Sequence, residues 1–213
     1  MCTNFVPTRN ADWARQTLGV ELPPDLPAEA YPGSPAPLVV RGRQSGRLVC
    51  GPARFGLIPA WARDEKIARH TYNARSETAA QKPSFRDAWH RGAHCIVPIE
   101  TFFEPDWRSG KAVPTRIGNT SGEPLGVAGL WSWWKDPKGE TLHSFTMLTI
   151  NADHHPLMNQ FHKPTDEKRM IVILPPQRYD DWLRASPSDS VDFLQAWPAE
   201  LMAAEAPQQA GLL

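Results

Sequence analysis

Five apolar, β-branched and aromatic stretches crowd the second half of the chain: CIVPIETFFEP, VPTRI, PLGVAGLWSWW, HSFTMLTINA and RMIVIL. Each is short, and Gly, Pro and Asp turns separate them, which is how strands announce themselves. A chain carrying this many strands in close succession cannot fold as a helical bundle. It must bury its sheet either against itself or under helices. Upstream, Leu38 to Val40 and Arg47 to Cys50 read as two further strands around an RQSG turn. Helical patterns are few. Asn10 to Leu18 has Asn10 as its cap, Ser84 to His90 and Gln177 to Arg184 are short, and one more helix is expected near the C-terminus. The proline-rich ELPPDLPAEAYPGSPAP between them permits only extended or turn structure. The expected fold is therefore α+β: a single domain over 1–213, mostly an antiparallel or mixed β-sheet closing into a barrel-like core. A few helices flank it and the last residues fray.

Composition narrows the function classes. The 213 residues are 41% hydrophobic and 22% charged, an ordinary globular balance. No apolar run approaches the roughly 20 residues of a spanning helix, and the N-terminus lacks a secretory pattern. The expectation is a cytoplasmic protein with no membrane partner. Three cysteines, Cys2, Cys50 and Cys95, lack metal-type spacing. Cys95, and by the same reasoning Cys50, is expected in the core. Net charge is zero, yet eleven Lys or Arg against four acids between Arg41 and Ala93 give that window +7. Basic residues interleaved with some of the nine tryptophans suit a single-stranded nucleic-acid groove, since phosphates need cations and unstacked bases need flat partners. A solvated basic face over a tryptophan-rich core is the ordinary alternative.

Four clusters could carry chemistry: Cys2 behind Met1; YNARSE, where Asn73, Arg75 and Glu77 would share one face of an extended segment; FFEPDW, where Glu104 ends an apolar strand; and HHPLMNQFHKPTDEKRM, with His154, His155 and His162. Asn73 and Arg75 could equally be strand-end polar groups, and Glu104 a turn residue. The histidines match no strong metal-ligand pattern, so no metal is expected.

Cys2 after Met1, FGLIPAW, NARSETAAQKPSFRDAW, CIVPIETFFEPDW and FHKPTDEKRMIVIL, in this order, resemble the SRAP (SOS response-associated peptidase) family over roughly residues 1–185. The resemblance implies a covalent bond between the mature N-terminal cysteine, Cys2, and the aldehyde of an abasic site in single-stranded DNA. It implies that Asn73 contacts the opened sugar and the cysteine, that Arg75 contacts the DNA backbone, and that Glu104 and His162 complete the catalytic set. Trp61 becomes a candidate base-stacking wedge; Arg63, Arg86 and Lys163 join the DNA-binding candidates. No cofactor is implied, a monomer is assumed, and association with the nucleoid would follow DNA binding. The chain departs from the family where Thr3 and Asn4 replace Gly-Arg, where GSPAPLV replaces a Tyr-Asn-x-Ala-Pro segment, and where Lys163 and Pro164 replace Asp-Arg. Lys168 and Arg169 could restore the lost basic charge.

Elementary chemistry points the same way. Once Met1 is gone, Cys2 carries an amine and a thiol on adjacent carbons. An α-amine with a pKa near ~7.7–8.0 is far more often an unprotonated nucleophile at neutral pH than a lysine near ~10.4. It can form an imine, and the thiol can close a five-membered thiazolidine in an effectively unimolecular step. His162 or Glu104 could move the protons this needs. Two other functions use the same residues: a thiol-dependent peptidase with Cys2, Glu104 and His162, acting on itself or on other proteins, and a non-covalent single-strand binding module in which Cys2 is inert.

Overall fold

A computed structural model of the protein describes residues 2–42 and 45–205. Among the described residues eleven strands form one sheet: β1 (Asn4–Pro7), β2 (Pro35–Arg41), β3 (Leu48–Phe55), β4 (Asn73–Arg75), β5 (His94–Asp106), β6 (Val113–Asn119), β7 (Leu125–Lys135), β8 (Thr141–Asn151), β9 (Arg169–Ile171), β10 (Ile173–Leu174) and β11 (Met202–Glu205). Five of them close on themselves. β5 pairs antiparallel with both β2 and β7, β7 with β8, and β2 with β3; a parallel contact between β3 and β8 completes the ring. This is the α+β, barrel-centred architecture that the strand-rich pattern predicts.

Closure explains why CIVPI runs apolar without alternation. Cys95, Val97 and Ile99 point into the barrel with Phe5, Phe55, Phe145 and Met147. Ile96 points outward into a second core with Leu130, Leu148, Trp89 and Trp182. A strand buried on both faces reads as a continuous hydrophobic run. The outer core is covered by short helices: α1 (Ala11–Trp13), continuing as a wider π-type turn to Leu18, α2 (Ser76–Ala79), α3 (Arg86–His90) and α4 (Tyr179–Arg184). Asn10 caps α1 as expected, its Oδ1 accepting from Trp13 N at 3.0 Å. Gly19, at φ +65°, ends that segment in the left-handed conformation suited to glycine.

Three expectations are corrected. The helix predicted near the C-terminus is replaced by 3₁₀ turns at 189–193 and 199–201 followed by β11, which pairs with β6. Its segment holds prolines at 187 and 198 that interrupt helical hydrogen bonding. The extended YNARSE segment ends at Arg75; Glu77 lies on α2, so it does not continue the Asn73–Arg75 face. Cys50 is half-buried, whereas Cys95 lies fully in the core. The frayed end falls on residues 206–213, outside the described residues. No helix among the described residues is long and apolar enough to cross a membrane.

Candidate active site

Strand register builds the site. β1 pairs antiparallel with the C-terminal half of β5 through Asn4↔Phe103 and Phe5↔Phe102, carrying Cys2 toward Glu104 at the rim of the barrel. β4 lies parallel on β8 through Asn73↔Met147. From there Asn73 Nδ2 donates to the Cys2 carbonyl at 2.7 Å. The turn after Met158 brings His162 across: its amide donates to Pro105 O at 2.8 Å, and its Nε2 lies 3.0 Å from Glu104 Oε2. Four residues from four chain segments thus converge. Cys2 is fully buried, the Glu104 side chain is fully buried, and the His162 side chain is 10% exposed.

Burial pushes the Cys2 thiol well above its ordinary pKa, and the neighbouring Glu104 charge pushes it further. The thiol is therefore protonated, and it donates to Asn4 O at 3.3 Å. Asn73 Oδ1 is buried and accepts no hydrogen bond from any described residue, leaving a buried acceptor in the site. His162 holds φ +64°, the one positive φ at a non-glycine among the described residues. A backbone kept in this region is strained, and such strain collects at functional sites.

The remaining sequence candidates are placed as follows. Arg75, next but one to Asn73 on β4, is half-exposed and ion-paired to Glu167 at 2.7 Å. Lys163 is exposed, its ammonium 5.1 Å from the centre of the Trp107 ring. Trp61 is exposed, with Nε1 donating to Pro83 O at 3.3 Å. Arg63 and Arg86 are exposed on the two segments which that bond joins. Much of the +7 window is locally matched: Arg41 pairs with Asp180, Arg54 with Glu65, and Arg75 with Glu167. Arg43, counted in that window, lies outside the described residues. Asn4 donates to Glu29 Oε2 at 3.3 Å, as does the Tyr31 hydroxyl at 2.6 Å.

His155 is spent on structure: Nε2 donates to Trp197 O at 2.7 Å, while Nδ1 accepts from Leu157 N and Met158 N. Exposed His154 and site residue His162 do not join it, so the histidine-rich stretch is not one cluster. Nor do Lys168 and Arg169 restore a basic surface. Arg169 is buried, clamped by Glu77 and Glu167. The Lys168 ammonium donates to three consecutive carbonyls, Phe161 at 2.8 Å, His162 at 3.2 Å and Lys163 at 2.7 Å. Lys168 thereby fixes the backbone that carries His162, a role with no sequence signal. Tyr72, which carries no sequence signal of its own, also borders the site; burial, then the nearby Glu104 charge, raise the pKa of its phenol.

This architecture is that of one family. The chain matches SOS response associated peptidase (SRAP) over residues 1–209 and belongs to it. It is 37% identical over 159 residues to abasic site processing protein YoqW of Bacillus subtilis (strain 168), covering 74% of this chain and 66% of that one. The chain thus spans just under two thirds of this curated relative. It is 27% identical over 132 residues to abasic site processing protein HMCES of Rattus norvegicus, covering 47% and 37% respectively. An X-ray structure of a protein from Bordetella bronchiseptica superposes with a TM-score of 0.90 at 42% identity, covering 96% of this chain and 99% of that one.

Proposed function

We propose that the protein captures abasic sites in single-stranded DNA through a covalent bond to Cys2 and so shields the lesion. The observation that carries this is the convergence of Asn73 and the Glu104–His162 pair on buried Cys2, which removal of Met1 would turn into an N-terminal aminothiol. Relatives named abasic site processing proteins support it. With Met1 removed, the Cys2 amine adds to the sugar aldehyde, and loss of one water gives an imine. The thiol sulfur then adds to the imine carbon, and its proton ends on the ring nitrogen. Aldehyde and aminothiol become a thiazolidine plus water.

The residues divide this work by burial. The thiol is held protonated beside Glu104, so ring closure needs a base there; Glu104 takes the proton, and the Glu104–His162 pair relays it to the ring nitrogen. Asn73 Oδ1, lacking a described protein donor, accepts a sugar hydroxyl. Arg75 and Lys163 hold phosphates, and Trp61 and Trp107 offer flat faces for bases. A cysteine peptidase would instead need a thiolate stabilised by positive charge, whereas this thiol faces a carboxylate. Processed protein incubated with an abasic oligonucleotide should give a heat-stable, gel-shifted adduct, and Cys2→Ala should give none. An identical adduct from Cys2→Ala, or none from wild type, removes the proposal. Salt-dependent binding without preference for the lesion would favour the non-covalent module.

A further inference from the structure

Arg75 is already holding a carboxylate. Its Nη1 donates to Glu167 Oε2 at 2.7 Å. The other oxygen of Glu167 accepts from Arg169 Nη1 at 2.8 Å and Asn151 Nδ2 at 3.2 Å. Arg169 is itself buried and fixed by both oxygens of Glu77 and by Thr149 O at 2.8 Å. Glu167 is thus anchored from behind by an immobile cation and presents its free edge to a half-exposed guanidinium. A carboxylate oxygen on this guanidinium takes a donor that a DNA phosphate oxygen would otherwise use. Two cations, Arg75 and Arg169, face two acids, Glu77 and Glu167, so this rim is neutral where the sequence suggested a basic strip.

We propose that Glu167 is a built-in stand-in for a DNA phosphate, which occupies Arg75 in the free protein and must yield it when a strand arrives. The inference rests on the proposed phosphate role of Arg75. Its consequence is specificity. Each intact strand must displace Glu167 for one phosphate contact, so undamaged DNA is held weakly and a lesion is retained by its covalent bond. An exposed ion pair is weak, so the effect on affinity is several-fold and not absolute.

The test uses the full-length, processed protein and a fluorescent undamaged oligothymidylate, with anisotropy read across a salt series. Glu167→Gln, isosteric and uncharged, should bind roughly 3- to 5-fold tighter than wild type. Its plot of log affinity against log salt should steepen by about 0.7, the value of one more neutralised phosphate on a single strand. Arg75→Ala should weaken binding alone and abolish both gains when combined with Glu167→Gln. Unchanged affinity and slope in Glu167→Gln overturn the proposal. So does a gain that persists without Arg75, since that is a general charge effect. Thermal melts of each variant, with Glu167→Ala as a second substitution, separate these outcomes from misfolding. None of these arms involves the aldehyde, so an absent abasic adduct would overturn covalent capture while leaving this result standing.

Discussion

At the scale of single residues, His162 shows most plainly how the site is made. An imidazole 3.0 Å from a buried carboxylate sits on a backbone at φ +64°. Both glycine and alanine would remove the imidazole, but only glycine occupies that φ without strain. His162→Gly should therefore be more stable than His162→Ala by about 1 kcal/mol, the reverse of the usual order, as measured by denaturant unfolding. Both should lose crosslinking, because each removes the imidazole to which the proposed mechanism assigns the proton relay. The Cys2 thiol carries the complementary lesson: a group whose burial makes it a poor nucleophile has a carboxylate placed beside it.

At the scale of elements, two joints set what the strands can do. The first is Lys168, just before β9, which ties three carbonyls of the 161–163 turn. Lys168→Met should cost roughly 1 kcal/mol, as part-buried acceptors lose their donor, and should slow adduct formation more than it reduces DNA affinity. Rates at saturating oligonucleotide separate the two. The second joint is the start of β5, where buried His94 packs on Trp182 at 4.0 Å between ring centres and meets Ser190 Oγ at 2.8 Å. Burial lowers its pKa to about 4, against ~6.5 in an unfolded chain. The unfolded state then binds more protons than the folded one between these values. The stabilisation is complete above about pH 6.5 and is lost as pH falls toward 4, amounting to roughly 3 kcal/mol. Melting temperatures across that window should fall in wild type and flatten at this step in His94→Phe.

At the scale of the whole molecule, barrel closure is the condition for everything at the rim. Gly129 on β7 sits between β5 and β8, paired with Cys95 and Met147. A Cβ there would lie 2.5 Å from Thr146 O and 2.9 Å from Cys95 Sγ. Gly129→Val should destabilise the fold by more than about 2 kcal/mol, and crosslinking should fall with the folded fraction, as circular dichroism and adduct yield measured together would show.

The sequence alone determined that the chain is strand-rich and which strands follow which, because alternation and turn chemistry are local properties. It also identified Cys2, Asn73, Glu104 and His162 as candidates, since their motifs are contiguous. Tertiary structure decided where side chains spend their charge. Arg169 and Lys168 read as surface cations, yet one is buried under Glu77 and the other saturated by carbonyls. Asn4 is bound to Glu29 and Arg75 to Glu167, across 25 and 92 residues of chain. The same limit hid β11, whose pairing with β6 depends on a partner some 85 residues away rather than on its own four residues. Local periodicity fixes an element's type, but the partner of a charge or an edge is chosen by register and closure. Neither exists until distant strands meet.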